Sequence, residues 1–182
     1  MATIKTVPAI TFAALLVCGV TCLIAPHAAA QVGGNEEACT LDPPQAVFAK
    51  GDFKLDKRVA RETLRLDQDV GVQLEQAQCE YRTLAYTFIA KGAPEDTDVS
   101  GWQYRRAIEL LTMLEARSVP KLKFTAEKKA LKAYEQLVAD AKPDVDINIR
   151  PPHDQFQELI SVSAHVSERD TRIIVRIVSG PY

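Results

Sequence analysis

Residues 159–177 read LISVSAHVSERDTRIIVRI. Ile160, Val162, Ala164 and Val166 alternate with Ser161, Ser163 and His165. After the polar stretch Ser167 to Asp170 the alternation resumes, with Ile173, Val175 and Ile177 set between Arg172 and Arg176. A period of two belongs to a strand with one buried face, and two such runs joined by a short polar turn predict an antiparallel hairpin. One face of that hairpin is aliphatic and the other carries Ser161, Ser163, His165, Arg172 and Arg176. The aliphatic face needs a cover.

The preceding residues supply one. Tyr104, Ile108, Leu111 and Glu115 define a row at helical spacing, widened by Leu110, Met113 and Leu114. This predicts an amphipathic helix beginning near Gly101 or Trp102, capped by Ser100. Pro120 ends it. Thr125 is expected to cap a second helix whose inner face is Ala130, Leu131, Tyr134, Leu137, Val138 and Ala141, with Pro143 just past its end.

Upstream, the period returns to two. Leu64 and Leu66 share one face of a strand, Asp67 to Asp69 make a polar turn, and Val70, Val72 and Leu74 alternate with Gly71, Gln73 and Glu75. Tyr81 to Ala90 is rich in residues suited to a pleated surface and stops at turn-forming residues from Lys91 to Asp98. Val145 to Ile149 reads as a short strand closed by Pro151 and Pro152. Residues 45–51 fit either an extended piece or a turn of helix. The expected class is therefore α+β: an antiparallel sheet of about five to six strands with a two-helix hairpin on one face.

The N-terminus carries an address. Lys5 gives a positive start, Pro8 to Ile24 is almost wholly apolar, and Ala28 and Ala30 place small side chains where a signal peptidase requires them. Residues 1–30 are read as a cleaved signal peptide, with an uncleaved anchor as the alternative. Residues 31–44 are read as a flexible leader tied down by Cys39, and residues 45–182 as a single α+β domain. Removing a segment with one lysine and no acid takes the formal charge from −2 to −3. No later apolar run approaches the length that spans a bilayer. The expected location is periplasmic or secreted.

Of the four cysteines, Cys18 and Cys22 fall in the signal, leaving Cys39 and Cys79. Two thiols in an oxidising compartment, about forty residues apart and without metal-ligand spacing to a histidine, are read as a structural disulfide.

Catalytic motifs are hard to find. His153 sits in a Pro-Pro-His-Asp loop and His165 on the serine-rich strand face, and neither shows metal-ligand spacing with a partner. No nucleophile elbow and no glycine-rich phosphate loop is present. The acid pairs Asp67/Asp69 and Asp144/Asp146 sit at turns and lack the other oxygen ligands of a calcium loop. No metal and no cofactor is expected.

Charge is more informative. Residues 101–142 hold nine Lys/Arg against five acids, a balance of +4, while the remaining mature chain carries −7. Arg105, Arg106, Lys121, Lys123, Lys128, Lys129 and Lys132 therefore form the candidate interaction face, suited to an acidic protein or an anionic envelope component. No aromatic-basic platform suggests nucleic acid. Trp102 and the tyrosines at 81, 86, 104 and 134 suit either stacking on a sugar or the core. The expected function is that of an exported, non-enzymatic binding protein, such as an inhibitor or immunity protein. The alternatives are a hydrolase with a site assembled from distant residues (His153, Asp154, Glu158) and a small-molecule carrier.

Overall fold

Alternation along each strand becomes rows of side chains across one sheet. The computed structural model describes residues 39–49, 51–95, 97, 99–137, 142–151 and 156–181. Residues 1–30, read from the sequence as a signal peptide, residues 31–38, Val138, Ala141, His153 and Asp154 lie outside the described residues. The elements are β1 (Lys54–Asp56), β2 (Val59–Arg65), β3 (Val70–Gln78), β4 (Arg82–Lys91), α1 (Trp102–Arg117), α2 (Thr125–Leu137), β5 (Ile147–Asn148), β6 (Gln157–Val166) and β7 (Asp170–Gly180). They form a seven-stranded antiparallel sheet in the order β1-β2-β3-β4-β7-β6-β5, with two helices packed against it. The chain meanders from β1 to β4, crosses through the helices to the far edge, and meanders back until β7 lies beside β4.

The strand beyond the expected five or six is β1. Its three residues are all exposed, so it carries no alternation to read. The turns follow their residues: Asp67 Oδ1 accepts the N–H groups of Asp69 (2.8 Å) and Val70 (2.7 Å), and Ser167 Oγ accepts that of Asp170 (3.0 Å).

The register aligns three inner rows. Leu64, Val72, Phe88, Ile173 and Ala164 make the first; Glu62, Leu74, Tyr86, Val175 and Val162 the second; Ala60, Gln76, Leu84, Ile177 and Ile160 the third. Helix α1 lies over β6 and β7, and α2 over β5. Tyr104, Ala107, Leu110, Leu111 and Leu114 of α1 and Leu131 of α2 are fully buried against the aliphatic rows. Tyr86 meets Phe124 edge-on, with ring centroids 5.4 Å apart.

The helices leave the β1–β3 half of the inner face to another cover. Residues 41–49 form an irregular strap across it: in the ambiguous stretch 45–51, residues 45–47 belong to no helix or strand, and the Gly51 N–H closes a turn on the Phe48 carbonyl at 3.0 Å. Phe48 inserts into the core and is 3% exposed. Glu62, fully buried in the middle row, accepts the backbone N–H of Val47 (2.7 Å) and of Phe48 (2.8 Å). Gln76 donates both to Glu62 (3.1 Å) and to the Gln45 carbonyl (2.9 Å). A carboxyl group on the core face of a strand is thus satisfied by a neighbouring segment that has no ladder of its own. At one end the strap is fixed by the Cys39–Cys79 disulfide and by Arg58 Nη1 donating to the Leu41 carbonyl at 2.6 Å. At the other, the Ala49 N–H donates to the Val119 carbonyl in the α1–α2 link.

Helix capping differs from expectation. The α1 cap is Gly101, at φ 76°, and no side chain bonds there, so Ser100 is not the cap. Glycine adopts that left-handed geometry without the steric cost a side chain would add. Thr125 is the first residue of α2, and the cap position falls to Phe124, whose carbonyl accepts the Lys128 N–H. Glu115, read from spacing as part of the apolar row, instead reaches across to α2. It accepts the Phe124 N–H and the Lys128 ammonium, each at 2.5 Å.

This contact predicts an acid-sensitive helix pair. Burial pushes the Glu115 carboxyl up, but the hydrogen bond from Lys128, the Phe124 N–H and the Lys128 charge together outweigh it and hold the group below the usual carboxylate value of 4.5. Its contribution is therefore present above that value and is lost as pH falls through the lowered folded pKa. Glu115→Gln is expected to destabilise at pH 7 and to cost progressively less as pH falls below the usual carboxylate value, a trend that urea melts over an acid series would measure.

Candidate functional site

The expected basic face resolves into individual fates. Arg105 pairs with Glu135 of α2 at 2.8 Å, Arg106 with Glu109 at 2.8 Å, and Lys128 with Glu115 at 2.5 Å. Lys121 donates to the Ala116 carbonyl at the end of α1. Arg105 and Lys128 join the two helices, Lys121 caps the end of α1, and Arg106 pairs within α1 itself. Lys123, Lys129 and Lys132 are exposed. A tally of charge over residues 101–142 reads the sign of the segment and cannot see these pairings.

The opposite side of the sheet carries a more continuous cationic surface. Arg61, Glu75, Ala85, Arg176 and Ser161 lie in register across five strands. Beside them run Thr63, Gln73, Thr87, Ile174 and Ser163, then Arg65, Gly71, Ile89, Arg172 and His165. All the hairpin residues expected on the Ser/Arg face, namely Ser161, Ser163, His165, Arg172 and Arg176, share this surface. Across the three rows four arginines face one carboxylate, Glu75, which Arg61 engages at 2.8 Å. Arg172 lies 3.5 Å from Asp170 at the turn, and Arg176 has no ion-pair partner among the described residues. The hydroxyls and the exposed Ile89 make the surface amphipathic, and neither helix lies on it.

A second feature joins residues that the sequence singled out separately. Trp102, Arg105 and Arg106, with Lys91, Glu109 and Thr171, line a cavity of about 280 Å³ between the start of α1 and the β4–α1 connection.

The disulfide joins Cys39 to Cys79 with a Cα–Cα distance of 4.5 Å, and it fits an oxidising, extracellular compartment. His165 lies at an exposed strand end. His153 and Asp154 are outside the described residues, so only Glu158 of that triplet is placed, 3.1 Å from Arg150. Among the described residues no three of His, Cys, Asp or Glu converge as metal ligands, and no helix is long and apolar enough to cross a membrane. No protein-family model, curated protein or solved structure matches the chain.

Proposed function

We propose that the protein is an exported, non-enzymatic binding protein, periplasmic or secreted through residues 1–30, whose contact surface is the uncovered sheet face. Its partner is an acidic protein of the cell envelope or its surroundings, as an inhibitor or immunity protein would require. The observation that supports this most is the alignment of Arg61, Arg65, Arg172 and Arg176 on the face of the sheet turned away from the two helices. Arginine on a flat, hydroxyl-rich surface supplies planar donors to carboxylates, and its charge steers an acidic partner into encounter. The hairpin cations are weaker candidates, because four of the seven already hold acids or carbonyls within the fold.

Paired charge reversals separate the two faces. In affinity capture from envelope fractions under oxidising conditions, Arg172→Glu/Arg176→Glu is expected to lower retention of an acidic partner by roughly tenfold or more, in a salt-sensitive manner. Lys129→Glu/Lys132→Glu should retain it. The opposite pattern would place the contact on the helices and remove the sheet-face reading.

A further inference from the structure

We infer that the cavity at the start of α1 is a binding site for a single sugar ring bearing a carboxylate. This is separate from the sheet-face reading, because the cavity opens on the helix-bearing side and shares none of the residues proposed there. Its volume of about 280 Å³ sits at the small end of ligand pockets, which suits one ring rather than a chain. Trp102, half-buried, forms part of the wall, and its indole N–H has no partner among the described residues. Trp102 thus brings an aromatic ring and an indole donor to the lining, the two kinds of group that a pyranose with hydroxyls at its edge uses.

The charges around this wall favour an acidic sugar. Lys91, Arg105 and Arg106 outnumber Glu109 in the lining. Arg105 is committed to the part-buried Glu135. Arg106 and Lys91 are held by exposed pairs instead, Arg106 to Glu109 and Lys91 to Asp69, with Asp69 63% and Glu109 59% exposed. Such pairs contribute little, so Arg106 can turn to an incoming carboxylate at small cost and gain a bidentate partner. Glu109, released, then becomes an acceptor for ring hydroxyls. Thr171, also in the lining, gives its proton to the Gly92 carbonyl at 2.6 Å, so its hydroxyl oxygen keeps only an acceptor's role.

Trp102 is the only tryptophan in the chain, so its emission reports on this site alone. The full-length oxidised protein would be titrated with glucuronate, glucose and acetate, by calorimetry and by tryptophan emission together. Glucuronate is expected to give a saturable isotherm and a matching emission change, with glucose and acetate each much weaker. Arg106→Gln, a substitution at a half-buried position checked by its melting curve, should weaken glucuronate by roughly tenfold or more. Absence of both signals with glucuronate through the millimolar range overturns the inference. So does an equal response to acetate, which would make the cavity a simple anion site, or to glucose, which would make it a neutral one. Undiminished binding by Arg106→Gln overturns it as well. The Arg172→Glu/Arg176→Glu protein should bind glucuronate normally, so failure of this site and failure of the sheet face are distinguishable.

Discussion

Glu62→Ala is expected to destabilise the fold by about 3–5 kcal/mol, among the largest effects of any single substitution in the chain. The side chain is fully buried and holds three donors: the N–H groups of Val47 and Phe48 and the Gln76 amide. Alanine removes every acceptor and leaves a cavity, while the donors lie where water reaches them only if the strap lifts. Glu62→Gln keeps the volume but exchanges one acceptor oxygen for an NH₂ group. It should cost about 1–3 kcal/mol, the penalty for one unsatisfied buried N–H. Urea denaturation of the two variants would give the ordering. A cost for alanine below 1 kcal/mol would mean that the strap contributes little to the core.

The second large effect comes from the other end of the same strap. Removing the Cys39–Cys79 disulfide, by reduction or by Cys39→Ser with Cys79→Ser, should lower stability by about 3–4 kcal/mol, because the bridge closes a loop with a sequence separation of 40. Much of that loss falls on the same segment that Glu62 holds, so the two perturbations should not add. Once the bridge is gone, Glu62→Ala should cost at least about 1 kcal/mol less than it does in the oxidised protein. Strict additivity would show that disulfide and strap are energetically independent. Equal melting of oxidised and reduced wild type would remove the structural role of the bridge altogether.

These two predictions also mark where sequence reading reaches its limit. The β6–β7 hairpin is legible because each second residue is apolar over two long runs, and that pattern has one solution in a half-covered sheet. Both helices are legible at period 3.6, but the inner face read for α2 holds only in part: Leu131 is buried, whereas Leu137 is 83% exposed. The strap has no period. Its order comes from a carboxyl group 14 or 15 residues away on a strand face that composition would assign to apolar residues. Strand β1 is hidden likewise, since an exposed edge of three residues leaves no burial pattern.

The candidate site divides along similar lines. Arg172 and Arg176 are visible as the polar half of an alternation, and the register then brings Arg61 and Arg65 beside them from β2. Glu115 sits at the right spacing for the apolar row of α1, and only its partners on the next helix show why an acid belongs there. The excess of Lys and Arg on the hairpin is real, but which of them are spent within the fold depends on helix packing. Trp102 and Arg106 gain their joint meaning from a cavity that they line together with residues 90–94 and Thr171, which lie far from Arg106 in sequence or on other elements.

The central claim is that the bare sheet face makes the contact, and site-specific photocrosslinking in the native host tests it most directly. A photoreactive residue at Ser163, in the middle of the arginine-flanked rows, should trap a defined acidic protein, and one at Lys132 on the helix hairpin should trap none. Crosslinks from Lys132 with none from Ser163 would contradict the account and return the contact to the helices.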